Sequence, residues 1–134
     1  MSDEILSFEE ALEKYDPVLG FEVHVELNTA TKMFDAAPNE FGDTPNTNIT
    51  PVSLGLPGVL PVVNGKAVES SMKLGLALGC EIAPVSHFAR KNYFYPDTPK
   101  NFQTSQFDEP IAANGSIDIE LEDGTGFTLS LIHI

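Results

Sequence analysis

Ionisable side chains alternate with apolar ones between Gly20 and Leu27. In an extended chain Glu22, His24 and Glu26 share one face, with neighbours about 6.6 Å apart. That spacing is too wide for direct hydrogen bonds between neighbours, but it allows two or three groups to converge on one cation. Mg²⁺ takes one or two carboxylates and keeps water and phosphate oxygens in its other positions. A solvated face of a half-buried strand that carries a histidine explains the same pattern, and the pattern alone favours this simpler interpretation.

A second stretch combines basic, amide and aromatic side chains. It contains Arg90, Lys91, Asn92, Tyr93 and Tyr95, and Lys100 follows shortly after. Basic side chains bind phosphate through charge-assisted hydrogen bonds, and aromatic rings offer stacking surfaces for flat groups and cations. The alternative is that the cations neutralise nearby carboxylates while the aromatic rings fill the core. The residue pattern supports both interpretations equally.

Composition narrows the classes of function. The 134 residues are 42% hydrophobic and 20% charged, which is typical of one globular domain or of part of a larger one. A net charge of -13 with only 7 Lys and Arg residues argues against nucleic-acid binding by charge alone. The single cysteine, Cys80, excludes an internal disulfide and a cysteine-built zinc site. Because the sequence shows no signal-peptide pattern and no apolar run of about 18 residues, a cytoplasmic location without membrane contact is expected.

Two helices are predicted to support these stretches. Ser7 and Glu10 form a capping box that begins a short amino-terminal helix, and Pro17 follows its end. Asn64 is expected to cap one core helix over about residues 64–79. The apolar stripe of this core helix comprises Val68, Met72, Gly75, Leu76 and Gly79.

The remaining pattern predicts strands, so the fold class is α+β with a mainly antiparallel sheet. Strands are expected over residues 20–27, 86–95, 117–122 and 127–134. Turns are predicted at Asn114–Gly115 and at Asp123–Gly124. The proline-rich residues 35–61 are expected to form a long ordered loop or a set of short extended pieces.

Five segments in a fixed order resemble the amino-terminal part of the B subunit of the tRNA-dependent amidotransferases. The likeness extends from Asp16 to about Phe127. The segments are Gly20–Leu27, Phe41–Gly42 with Pro45–Asn48, Leu54–Val62, Arg90–Lys100 and Gln103–Ile111. The resemblance implies a partial cradle domain, similar to catalytic domains of the glutamine-synthetase type, with helices on one side of its sheet.

The resemblance also implies a reaction. Such a protein uses ATP and Mg²⁺ to phosphorylate the side-chain carboxylate of glutamate or aspartate mischarged on tRNA(Gln) or tRNA(Asn). Ammonia from an amidase A subunit then displaces the phosphate, and a small C subunit completes the heterotrimer. The sequence does not distinguish the two tRNA substrates, because the domains that hold tRNA lie outside it.

Carried over residue by residue, the resemblance assigns roles to the two stretches. Glu22 and His24 match the catalytic metal-binding pair, and Glu26 is a candidate to support those ligands through hydrogen bonds. The residues expected to line the ATP pocket are Arg90, Lys91, Asn92, Tyr93 and Tyr95. Lys91 is also expected to act where the ammonia tunnel meets this pocket, and is counted as catalytic.

One departure from the family concerns zinc. Many relatives carry a four-cysteine zinc knuckle at positions occupied here by Asp35, Ala37, Thr50 and Ser53. No zinc site is therefore predicted, and packing and prolines are expected to hold the loop.

A second departure concerns the final residues. The expected division is a helical extension over residues 1–17, a truncated cradle domain over 18–128, and non-native read-through over 129–134. The chain lacks the later acidic motif and the tRNA-binding domains of the family, so the isolated fragment is expected to be inactive. The alternative is a stand-alone acidic metal-binding or scaffold module without catalysis.

Overall fold

The computed structural model describes residues 5–133, with side chains described as far as Leu131. This described part of the chain has two helices and five strands, which confirms the α+β class. The helices are α1 (Phe8–Lys14) and α2 (Gly65–Ala77). The strands are β1 (Glu81–Ile82), β2 (Ala89–Asn92), β3 (Phe102–Ser105), β4 (Ala112–Glu120) and β5 (Gly126–His133).

The strands form two separate antiparallel sheets. One sheet has the order β1-β4-β5, and the other is the two-stranded β2–β3 ribbon. In the first sheet, Glu120 pairs with Gly126 next to the connection between β4 and β5. The predicted turn at Asp123–Gly124 is confirmed, since the Leu121 N–H donates to the Thr125 carbonyl at 2.7 Å across it.

Both helices begin where local chemistry predicts. At α1, the Ser7 N–H donates to Glu10 Oε2 at 2.9 Å and the Glu10 N–H donates to Ser7 Oγ at 3.3 Å, which completes the capping box. At α2, Asn64 Oδ1 accepts a hydrogen bond from the Lys66 N–H at 2.9 Å. Gly79 follows the helix with a φ of 67°, a left-handed conformation that glycine adopts readily. The predicted core helix is therefore confirmed to within two residues at its end.

The buried face of α2 differs from the predicted stripe. Ala67 and Gly75 are buried, but Met72 and Leu76 are 39% and 65% exposed. The prediction was right for Gly75 and wrong for these two large side chains. A Cβ at Gly75 would lie 2.7 Å from Ala112 Cβ, so the absence of a side chain permits α2 to approach the sheet closely.

Small side chains make up much of the core in the described part of the chain. The buried hydrophobic residues are Ala37, Ala67, Cys80, Ile111 and Ala112. The cysteine behaves as a small apolar residue, as free cysteines commonly do.

The predicted turn at Asn114–Gly115 is wrong, because both residues lie inside β4. Asn114 does adopt a positive φ of 59°, but the strand continues through it. Gly115 lies against the Cys80 sulfur, and a Cβ there would lie 2.9 Å from the Leu78 carbonyl oxygen. The sequence signal for a hairpin thus reflects close packing against the end of α2.

The predicted half-buried strand over Gly20–Leu27 is also wrong for this chain. The segment contains no strand, and Phe21, Val23 and Val25 are 77%, 84% and 61% exposed. A strand forms only when a neighbouring strand accepts its backbone hydrogen bonds, and the described residues provide none for this segment.

The ribbon strands were only partly predicted. The expected strand over residues 86–95 is confined to β2, Ala89–Asn92. Its partner β3 was missed, because the residues after Phe102 are mostly polar and do not stand out as a strand. The proline-rich residues 35–61 form turns and irregular segments, apart from an isolated Thr31–Pro38 bridge that borders them.

Candidate functional site

The predicted phosphate-binding residues lie on two opposite faces of the β2–β3 ribbon. Arg90 pairs with Thr104, Lys91 with Gln103, and Asn92 with Phe102. Successive strand residues point to opposite faces, so Arg90 and Asn92 share one face and Lys91 lies on the other. The ribbon therefore does not direct all three side chains into one pocket.

Two cations converge on the ring of Phe102. The Arg90 guanidinium carbon lies 5.7 Å from the ring centroid, and Lys100 Nζ lies 5.4 Å from it. These distances are within the range of cation–π attraction, which holds both positive groups on one side of the ribbon. Of the three basic residues that are close in sequence, the structure therefore brings together Arg90 and Lys100.

The predicted tyrosines extend beyond the end of β2. The Tyr93 N–H donates to the Asn101 carbonyl at 3.1 Å, which continues the ladder and places Tyr93 on the face of Lys91. The rings of Tyr93 and Tyr95 are 6.5 Å apart and tilted by 47°. Tyr93 is 39% exposed and Tyr95 is 58% exposed, so both rings can reach a ligand.

Glu22, His24 and Glu26 are exposed and lie outside every strand. Glu26 lines an open cavity together with Lys32 and Asn39, whereas Glu22 and His24 do not border this cavity. Within residues 5–133, no group of three or more histidine, cysteine, aspartate or glutamate side chains is placed to hold a metal ion.

The positions of these side chains show whether they can form a magnesium site. Mg²⁺ requires a near-octahedral set of oxygen ligands, and it commonly takes one or two carboxylates from the protein. Glu22 can supply one oxygen ligand, but in the described part of the chain no second carboxylate joins it and His24 in a cluster. The residues present do not by themselves fit a magnesium site, so the assignment of these two ligands remains a proposal.

A polar cluster occupies the positions at which the resemblance places zinc ligands in relatives. The Asp35 carboxylate accepts hydrogen bonds from Thr50 Oγ1 at 2.6 Å, from Ser53 Oγ and from the Ala37 N–H at 2.8 Å. Burial raises the pKa of Asp35, but these hydrogen bonds and the charge of Lys32 outweigh it and hold the pKa below its ordinary value of 3.8. Packing and prolines were expected to hold the loop, and the sequence pattern gave no sign of this network.

The loop that contains this cluster also has neighbours that contact residues close to the β2–β3 ribbon. The ring of Phe34 meets that of Phe88 edge-on, with centroids 5.2 Å apart. On the other side of the loop, a Cβ at Gly55 would lie 2.7 Å from Lys100 Cα, and Gly55 has a φ of 66°. The loop therefore abuts the segments that precede both ribbon strands.

Comparison with known proteins identifies the family. The family profile described as the GatB/GatE catalytic domain matches residues 17–134. The chain belongs to the GatB/GatE catalytic domain family. This match agrees with the resemblance noted in the sequence and with the observed α+β architecture.

Eight curated relatives of this GatB/GatE chain share one name, the B subunit of aspartyl/glutamyl-tRNA(Asn/Gln) amidotransferase. The chain is 74% identical over 129 residues to the protein of that name from Paenarthrobacter aurescens (strain TC1). It is 62% identical over 130 residues to the one from Corynebacterium jeikeium (strain K411). The alignments cover 96% and 97% of this chain but only 26% of each relative, so the chain spans about a quarter of their length.

Two other expectations concern membrane-spanning helices and the division of the chain into segments. Neither helix found between residues 5 and 133 has the length and apolar character needed to cross a membrane. The division of the chain into residues 1–17, 18–128 and 129–134, including read-through in the last segment, stays a prediction.

Proposed function

We propose that this chain forms part of an amidotransferase B subunit that activates glutamate or aspartate mischarged on tRNA and converts it into the amide. The observation that carries the proposal is the 74% identity to a relative of that name over 96% of this chain. The two cations on one face of the β2–β3 ribbon also support the proposal, because they offer a binding site for phosphate.

The proposed reaction has two steps. The γ-phosphoryl group of ATP is transferred to a side-chain carboxylate oxygen of the mischarged amino acid, which leaves ADP and an acyl phosphate. Ammonia then attacks the carbonyl carbon, so that a C–N bond forms, the C–O bond to phosphate breaks, and phosphate leaves as a proton is lost. Such chemistry depends on positioning and on charge stabilisation rather than on covalent bonds to the protein.

Arg90 and Lys100 are proposed to bind the phosphates of ATP. Both lie within 5.7 Å of the Phe102 ring centroid, in a chain whose net charge is -13. Guanidinium and ammonium groups form charge-assisted hydrogen bonds to phosphate oxygens, which are about twice as strong as neutral ones. Asn92 shares their face and is proposed to assist them.

Lys91 and Tyr93 are proposed to act on the opposite face. The β2–β3 register separates Lys91 from Arg90, so Lys91 can meet the incoming ammonia without contacting the same phosphates. Tyr93 and the neighbouring Tyr95 offer rings for stacking against the nucleotide base.

Glu22 and His24 are proposed as a partial magnesium ligand set that residues outside this chain complete. Magnesium would neutralise charge on the phosphates, and Glu26 would support its ligands through hydrogen bonds. The apolar side chains of Phe21, Val23 and Val25 are exposed, which supports this proposal. A strand contributed by the longer protein would bury their face of the segment and would fix the positions of Glu22 and His24 on the opposite face.

The proposed partners are an amidase A subunit, a small C subunit and mischarged tRNA held by domains beyond this chain. The test is reconstitution of that complex with a complete B subunit that carries these 134 residues, followed by separation of glutaminyl-tRNA from glutamyl-tRNA and of asparaginyl-tRNA from aspartyl-tRNA. Conversion that requires ATP is expected, and none is expected from the 134-residue chain alone. Conversion at the full rate without ATP, or no conversion by the assembled complex on either mischarged tRNA, would contradict the proposal.

A further inference from the structure

One carboxylate joins distant parts of the loop between Asp35 and Ser53. Asp35 Oδ2 accepts a hydrogen bond from Thr50, 15 positions away, and another from Ser53, 18 positions away. Asp35 Oδ1 accepts the third, from the Ala37 N–H at 2.8 Å. Both oxygens of the carboxylate are therefore occupied, and the loop is closed on itself by side chains.

The two hydroxyls of this cluster are fixed in both of their roles. Each donates its proton to Asp35, and each also accepts a backbone hydrogen bond from inside the loop. Ser53 Oγ accepts from the Thr50 N–H at 3.3 Å, and Thr50 Oγ1 accepts from the Val52 N–H at 3.2 Å. Because every member has its partners, the network can specify one conformation of the loop.

The two ends of this cluster lie next to contacts with the segments that precede β2 and β3. Phe34, which precedes Asp35, packs edge-on against Phe88, which precedes β2. Gly55, two residues after Ser53, abuts the backbone of Lys100, which lies just before β3. The hydrogen bond between Asp35 and Ser53 therefore fixes the positions of Phe34 and Gly55, and with them both of these contacts.

We propose that Asp35, Thr50 and Ser53 form a clamp that closes the loop over residues 35–53 without a metal ion, and that the closed loop braces the β2–β3 ribbon. In this role Asp35 is a positioning residue, since it acts on Lys100 through the loop and touches no ligand. Lys32 reinforces the clamp, because its Nζ donates to the Asn48 carbonyl at 2.8 Å and its charge favours ionised Asp35.

Amide hydrogen exchange of a complete B subunit that carries these 134 residues, followed by NMR, tests the clamp. In the Asp35→Asn variant the amides of Ala37, Thr50 and Val52 are expected to exchange about tenfold faster, since a charged acceptor is lost. The amide of Tyr93 at the end of the ribbon should also lose protection. Asp43→Asn, which alters an exposed carboxylate in the same loop, should leave all four rates unchanged.

Two further variants keep the test informative if Asp35→Asn does not fold. Thr50→Val and Ser53→Ala each remove one hydroxyl, and each is expected to accelerate exchange at Ala37 less than Asp35→Asn does. If Asp35→Asn is folded and exchanges at the rates of Asp43→Asn, the clamp is excluded. If Asp35→Asn is unfolded, unchanged exchange in both hydroxyl variants excludes it. Faster exchange in the unaltered chain after addition of EDTA would show that a metal ion closes the loop, and would also overturn the proposal.

Discussion

The guanidinium carbon of Arg90 lies 5.7 Å from the centroid of the Phe102 ring, diagonally across the β2–β3 ribbon. Lys100 Nζ lies 5.4 Å from the same ring. Neither cation forms an ion pair with a carboxylate within the described residues. Both positive charges therefore remain available for an anionic ligand, although acidic residues outnumber Lys and Arg by 20 to 7 in the chain.

Removal of these cations should weaken nucleotide binding by the complete B subunit. We expect Arg90→Ala and Lys100→Ala each to raise the Kd for ATP about tenfold, because each removes a charge-assisted hydrogen bond to phosphate. Lys91→Ala, on the other face, should change the Kd less. Titration calorimetry measures these values. Lys73→Ala is the control for a general loss of charge, because Lys73 lies on α2 and pairs with Glu69. An equal loss of affinity in the control would contradict a specific role for the ribbon.

Close packing of α2 on the sheet predicts a contrast between two glycines of that helix. A Cβ at Gly75 would lie 2.7 Å from Ala112 Cβ, whereas one at Gly65 meets no described atom within 4 Å. We expect Gly75→Ala to lower the free energy of unfolding by about 1–3 kcal/mol through overpacking. Gly65→Ala should be neutral or should raise it by up to about 1 kcal/mol. Urea denaturation followed by circular dichroism measures both, and equal stability of the two variants would argue against the packing described.

Asp35 should make the clamp sensitive to acid. Its hydrogen bonds hold its pKa in the folded chain below the ordinary value of 3.8, even though burial opposes them. A carboxylate with a lowered pKa contributes stability above its unfolded pKa and loses it as the pH falls through the folded pKa. The difference in unfolding free energy between the unaltered chain and Asp35→Asn should therefore be constant above about pH 5 and shrink below about pH 4.

Denaturant titrations at a series of pH values measure this difference. The amide introduced by the Asp35→Asn substitution does not titrate, so the variant supplies the reference, and the acidic surface common to both chains cancels. A difference that grows on acidification would show that the sign of the pKa shift is wrong.

The clamp geometry also predicts what cysteines at these positions would do. The Asp35 carboxylate contacts the hydroxyls of Thr50 and Ser53 and the backbone N–H of Ala37, so these four positions lie close together. We expect the Asp35→Cys, Ala37→Cys, Thr50→Cys, Ser53→Cys variant to bind one Zn²⁺ per chain with tetrahedral sulfur coordination. The absorption spectrum of the cobalt-substituted variant reports that geometry. No stoichiometric binding would show that the four positions do not converge.

Local chemistry made the helices predictable. The Ser7 and Glu10 side chains and the Asn64 cap act within a few residues of the chain, so the sequence contains all that determines these starts. The Asn114–Gly115 pair was misjudged because the reason for its glycine lies in a contact with Cys80, which no local pattern displays.

The segment over residues 20–27 was misjudged for a different reason. Its alternation predicts which side chains share a face. A strand also needs a neighbouring strand as its partner, and this chain spans only 26% of the length of its relatives. In the ribbon, strand pairing again decided an arrangement that the sequence pattern does not show. The sequence placed Arg90, Lys91 and Lys100 together, whereas the pairing of β2 with the unpredicted β3 separated Lys91 from the other two.

The magnesium site of the proposed function depends most on Glu22 and His24. Calorimetric titration of magnesium-ATP into the complete B subunit, compared with its Glu22→Ala, His24→Ala variant, is the most direct measurement of their role. The Glu40→Ala variant, which removes an exposed carboxylate elsewhere, serves as the control. We predict that the unaltered protein and the control bind alike and that the double variant binds at least about tenfold more weakly. Equal affinity in all three proteins would contradict the assignment of these residues to the metal site.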